Sequence, residues 1–163
     1  MSNFEWYTPP FLADAARKVL GKIDLDPASC DEANKVVHAE KFFSLADDGL
    51  QHEWRGRIFL NPPFKRWLVD KFIDKLLCSD VDAAVALTNA STDSQWFQRL
   101  ALRSDGVCFL TGRIKFLQPD GNASKLTAKN GCCVFYLGSD VELFFEVFQP
   151  LGLCTQFNLP TQC

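Results

Sequence analysis

A chain of 163 residues with 47% hydrophobic and 23% charged content can build one packed domain, and it is not the composition of a disordered or low-complexity segment. No basic flank precedes an apolar run at the N-terminus and no stretch approaches the roughly 20 apolar residues of a membrane span, so a soluble, cytoplasmic protein is expected. The net charge of −3 speaks mildly against a polyanionic partner, but it is uneven: residues 1–53 hold five Lys/Arg against ten Asp/Glu, and residues 54–163 hold twelve against ten.

In chain order, the first expected element is a helix over 11–20. Thr8 is available to cap it, Pro9 and Pro10 suit its first turn, Phe11, Ala15 and Val19 recur on one face, and Gly21 ends it. Residues 23–27 read as a short strand stopped by proline, with Asp24 and Asp26 at or near its carboxyl end, the edge where open α/β sheets bind ligands. From 29 to 53 the pattern is weak, apart from a short helix around 31–37 and the pair Phe42-Phe43. The apolar run 57–60 ends in Asn61-Pro62-Pro63, and Trp67, Lys71, Ile73 and Leu77 follow at helical spacing with Phe72 and Leu76 beside them.

Residues 83–88 form a buried-type strand, and Asp93 is placed to cap a helix carrying Trp96, Phe97, Leu100 and Ala101. Strands at 106–110 and 132–137, a helix over 141–148 and an edge strand at 153–157 complete the series. Trp67 and Trp96 both lie among apolar residues and are assigned to the core. Short apolar strands alternating with helices predict an α/β fold: a Rossmann-like sandwich, a mostly parallel sheet with helices on both faces, in a single domain over 1–163.

Seven cysteines without a C-x-x-C spacing read as reduced thiols, and His38 and His52 lack any ligand pattern, so no metal site is expected. The stretch 111–131 carries Arg113, Lys115, Lys125 and Lys129 against Asp120 alone, with three glycines. It suits either a phosphate-contacting loop or a merely solvated one.

Asn61-Pro62-Pro63-Phe64 is the most specific feature. Two prolines at a strand end stiffen the backbone into a rigid extended turn. Such a turn can aim the Pro62 carbonyl and the Asn61 amide oxygen at one small volume. Two converging acceptors suit an amino group such as the exocyclic amine of adenine, and Phe64 would stack on an unstacked base. The same tetrapeptide also serves as a plain strand-to-helix turn.

The chain resembles the phage-type DNA N6-adenine methyltransferases, relatives of the Dam enzymes. The matching segments are Glu5-Trp6-Tyr7-Thr8-Pro9, Asp24-Leu25-Asp26-Pro27-Ala28-Ser29, Asp47-Asp48-Gly49-Leu50, Trp54 with Asn61 to Phe64, Asp93 to Phe97, and Gly112-Arg113-Ile114-Lys115-Phe116. This resemblance implies an S-adenosylmethionine-dependent methyltransferase with Asn61, Pro62, Pro63 and Phe64 as catalytic motif. It implies Trp6, Thr8 and Pro9 at the methionine end of the cofactor, with Asp24, Asp26 and Asp48 as further cofactor residues, Asp24 and Asp26 sharing its ammonium and ribose groups. The partner implied is double-stranded DNA with a flipped adenine, read by Arg113, Lys115, Lys125 and Lys129 in the loop. A monomer or weak dimer in a bacterial cytoplasm, phage- or prophage-encoded, is the matching setting, with the methyl mark serving either restriction-modification or the regulation of replication.

Two departures stand out. Pro27-Ala28-Ser29 replaces a glycine-rich turn, and the short interval between Asp26 and Leu60 predicts a trimmed sheet. Two other readings keep the motif: a methyltransferase acting on RNA amines or protein glutamine amides, and a non-catalytic DNA-binding relative.

Overall fold

The computed structural model describes residues 6–118, 120, 122, 124 and 127–157. Its elements are α1 (Pro10–Leu20), β1 (Leu25–Asp26), α2 (Asp31–Val37), β2 (Lys41–Phe42), β3 (Arg57–Leu60), α3 (Arg66–Cys78), β4 (Ala83–Asn89), α4 (Gln95–Arg103), β5 (Gly106–Leu110), β6 (Cys132–Leu137), α5 (Val141–Phe148) and β7 (Gly152–Thr155), with a 3-10 turn at Gly49–Gln51. None of the helices among these residues is long and apolar enough to cross a membrane.

The seven strands form one sheet in the order β2-β1-β3-β4-β6-β5-β7. Neighbours from β2 to β4 are parallel, and every pairing that involves β6 or β7 is antiparallel. Five strands therefore run one way, and β6 and β7 run back between and beside them. The order reverses between β1 and β3, so the C-terminal ends of those strands open into the crevice where α/β sheets seat ligands.

Side-chain alternation assigns the two faces. Phe59, Val85, Leu87, Cys108, Val134 and Tyr136 pack with α1, α2 and α5, whereas Ile58, Leu60, Ala84, Ala86, Val107 and Phe135 pack with α3 and α4. Period-two strands in a sheet covered on both sides need apolar residues at every position, which is why these runs carry no polar alternation. Each fully buried large side chain contributes roughly 1.5–3 kcal/mol.

Three expectations are corrected. Thr8 does not cap α1: the cap position is Pro9 and no side chain closes it, while Thr8 is buried and turned toward Asn61. Ser94, not Asp93, occupies the cap position of α4.

Trp67 is not a core residue but is 63% exposed. The buried stripe of α3 is Val69, Phe72, Ile73 and Leu76, and Trp67, two residues before Val69, lies about 200° around the helix from it. Trp96 is buried as expected. The interval between β1 and β3 holds only the two-residue β2 as regular strand.

Candidate active site

Asn61 follows the last residue of β3, and its amide is pinned from the far end of the chain. Its Nδ2 donates to the Trp6 carbonyl (3.1 Å) and to Thr8 Oγ1 (3.1 Å). The opposite oxygen, Oδ1, is buried without a hydrogen-bond partner. An orphaned buried acceptor costs roughly 1–3 kcal/mol, so its persistence needs a reason, and an incoming donor is the simplest.

Around it, three aromatic rings meet edge to face. Phe116 lies 5.7 Å from Trp6 and 5.9 Å from Phe64 between ring centroids, both at 66°. Phe116 is buried, Phe64 and Pro63 are half-buried, and Pro62 is buried. The segment before α1 is laced to the stretch after β5 by reciprocal bonds, Tyr7 N to Leu117 O at 3.1 Å and Leu117 N to Tyr7 O at 2.9 Å. The structure thus brings Trp6, Thr8 and Asn61 together by hydrogen bonds, and Phe116 links Trp6 to Phe64. Phe116 stood inside a matched segment, but nothing in its spacing marked it as the ring between Trp6 and Phe64.

Beside β3 lies the end of β1, with Leu25 level with Ile58. Asp26 is 2% exposed, and burial pushes its carboxyl up to about 7 against the opposing pull of the Ala28 N–H, which donates to Oδ1 at 3.1 Å. Phe43 N donates to the Asp26 carbonyl and Ser29 N to the Phe43 carbonyl, so the chain beyond β2 closes over this end. The 3-10 turn stands on it too: a Cβ built on Gly49 would lie 2.0 Å from the Pro27 carbonyl oxygen.

Asp48, at φ 51°, spends its carboxylate on that turn, accepting from Leu50 N (3.2 Å) and Gln51 Nε2 (3.3 Å). Trp54 Nε1 donates to the Gly49 carbonyl at 2.8 Å and holds the turn from beneath.

Asp24 lies elsewhere, which corrects its placement at the carboxyl edge. It precedes β1, and Leu25 is level with Ile58, so Asn61 stands four residues further along, about 13 Å away. Its Oδ2 accepts from Arg57 Nε (3.0 Å) and Arg57 N (2.8 Å), and its Oδ1 meets Lys22 Nζ at 2.7 Å. Burial alone would raise its carboxyl, but the Lys22 and Arg57 hydrogen bonds outweigh that and hold it at about 2. Asp24 is a tie between β1 and β3.

Asp24→Asn should therefore lower Tm by a few degrees and leave cofactor affinity intact, which thermal melting and calorimetry check. The depressed carboxyl contributes stability above its unfolded value of 3.8, lost as pH falls toward 2.

Arg113, Lys115 and Lys129 are exposed in the stretch between β5 and β6, while Ile114 and Phe116 anchor that stretch in the core. Lys125 lies outside the described residues.

The sheet reverses order beside β1, and β3 runs into an Asn-Pro-Pro-Phe turn with an unsatisfied amide oxygen, an α/β architecture with its candidate site at the switch point. The family model for DNA N-6-adenine-methyltransferase (Dam) matches residues 2–147. The chain belongs to that family. No curated protein matches it. Among solved structures, a Pyrococcus horikoshii protein provisionally described as an RNA methyltransferase is similar over 84% of this chain and 94% of its own, at 14% identity and a TM-score of 0.45.

Proposed function

We propose that the protein transfers a methyl group from S-adenosylmethionine to the exocyclic amine of an adenine flipped out of duplex DNA. The observation that carries this reading is the buried, unpartnered Oδ1 of Asn61 on an amide whose other end is fixed by two hydrogen bonds.

Adenine's amine is a poor nucleophile because its lone pair is delocalised into the ring. Asn61 Oδ1 accepts one amino hydrogen and the Pro62 carbonyl the other, favouring the pyramidal form in which the lone pair is free to attack. Phe64, braced by Phe116, offers the base an aromatic face worth roughly 1–3 kcal/mol. A preformed acceptor needs no reorganisation as positive charge develops on the nitrogen. With a methyl sulfonium as donor, the nitrogen held by Asn61 and Pro62 would take the methyl while sulfur kept the bonding electrons, and the surplus proton would pass to water.

The cofactor, when bound, supplies an electrophilic methyl sulfonium. The residues present fit it: α1 opens with no side-chain cap, which suits a carboxylate, and Asp26 is a buried carboxyl at the crevice end of β1, suited to a cationic amine. The test is transfer of tritium from methyl-labelled cofactor to DNA, RNA and a glutamine peptide side by side. Label in DNA as N6-methyladenine supports the reading, and label in RNA or peptide alone sinks it.

The buried carboxyl makes the pH behaviour specific. Raised to about 7, Asp26 stays protonated in the free protein where an unfolded chain, at 3.8, has already ionised. The folded state then binds the extra proton, and the free protein loses stability as pH climbs from about 4 to about 7. A cationic ligand favours the ionised form, so cofactor affinity should rise over pH 5.5 to about 7, with a proton released on binding below about 7. Calorimetry in buffers of different ionisation enthalpy checks this, and Asp26→Asn should flatten both dependences.

A further inference from the structure

The exposed side of α3 begins three residues after Phe64, and three residues of chain span at most about 11 Å. Trp67 stands there at 63% exposure, whereas Trp54 and Trp96 are 1% and 8% exposed. Lys71 Nζ lies over its ring, 5.4 Å from the centroid, and Lys65 and Lys71 are both exposed. The acidic residues of the same helix nearby, Asp70 and Asp74, are occupied by Arg99, each at 2.7 Å. What remains toward solvent is an indole with the Lys71 ammonium over its ring and a second exposed lysine, Lys65, at the start of the helix, the mixture that nucleic-acid surfaces attract.

Its position gives it a direction. Ile114 and Phe116, which anchor the basic stretch of Arg113, Lys115 and Lys129, pack on the α1 side of the sheet, and α3 packs on the other. The Asn61–Phe64 turn lies between two cationic flanks.

We propose that Trp67, Lys65 and Lys71 form a second DNA-contacting flank, opposite Arg113, Lys115 and Lys129. Lys65 and Lys71 take phosphates beside the flipped adenine, and the Trp67 indole packs on the sugar or unstacked base next to it. This rests on the reading of duplex DNA as substrate.

The test is anisotropy of a short labelled duplex, titrated over a series of salt concentrations, with the wild type, Trp67→Ala, and the double variant Lys65→Gln, Lys71→Gln. Trp67→Ala should bind about tenfold more weakly. The double variant should lose about two from the slope of log K against log salt, since each neutralised phosphate contributes about 0.9. All three side chains are exposed, so Tm and cofactor affinity should match the wild type. If the wild type binds duplex and both variants bind equally well with the same slope, this flank is wrong while the substrate reading survives. A wild type that binds no duplex at any salt concentration overturns both.

Discussion

Asn61→Ala should lower kcat by about 10²- to 10³-fold, the effect of losing one preorganised group aimed at developing charge, with cofactor affinity nearly unchanged. Its stability should hardly move. Alanine forfeits two hydrogen bonds to Trp6 O and Thr8 Oγ1, each contributing roughly 0.5–1.5 kcal/mol. It also removes the buried oxygen that has no partner, relieving a cost of similar size. Loss of turnover without loss of Tm marks a group held against its own preference for the sake of the reaction. Single-turnover methylation, calorimetry with the cofactor and a melting curve decide it. An Asn61→Ala protein that methylates at the wild-type rate ends the mechanism, and one that fails to fold shows that the amide is a structural tie.

The second large effect lies at Gly49. Its Cα sits so close to the end of β1 that an added methyl would lie 2.0 Å from the Pro27 carbonyl oxygen and 3.0 Å from its carbon. Neither partner is a flexible side-chain end, so the turn itself must move. It is gripped from below by Trp54, 1% exposed and bonded through its indole N–H to the Gly49 carbonyl. Overpacking of this kind costs typically 1–3 kcal/mol and sometimes more. For Gly49→Ala we expect about 3 kcal/mol, or a Tm lower by about 10 °C for a chain of this size. Because the turn covers Pro27, immediately after Asp26, cofactor affinity should fall with it. A melting curve and a binding isotherm measure the two together, and an unaltered Tm would mean that the turn yields freely.

Where burial alone decides structure, the residue pattern sufficed. The apolar runs before Asn61 and at 106–110 and 132–137 appear as β3, β5 and β6 at their expected bounds, because a strand covered on both faces has no choice of side chain. Strand direction was not legible: nothing local distinguishes the antiparallel β6 from the parallel β4 beside it.

The helical stripe of α3 was legible at Phe72, Ile73 and Leu76, and misread only at its N-terminal end. Trp67 satisfies a rough period with Lys71, yet the sheet selects Val69 in its place, and two apolar neighbours of the stripe cannot be ranked without the surface they meet. Asp24 and Asp26 looked alike at two residues' separation. Only the partner Arg57, thirty-three positions on, separates an ion pair from a buried carboxyl. The Asn-Pro-Pro-Phe turn was legible because two prolines dictate backbone shape locally, whereas the bonds that orient its amide come from Trp6 and Thr8, which only the fold brings near.

The lacing of Tyr7 to Leu117 bears on how the protein is made. Strands β1 to β4 and their helices need no residue beyond Arg103 to pair with one another. The segment that orients Asn61, by contrast, waits for a stretch more than a hundred positions downstream, and such long-range closure is slow. During synthesis Asn61 is therefore made long before Leu117, and the segment that pins its amide gains this brace only as the final third of the chain is added.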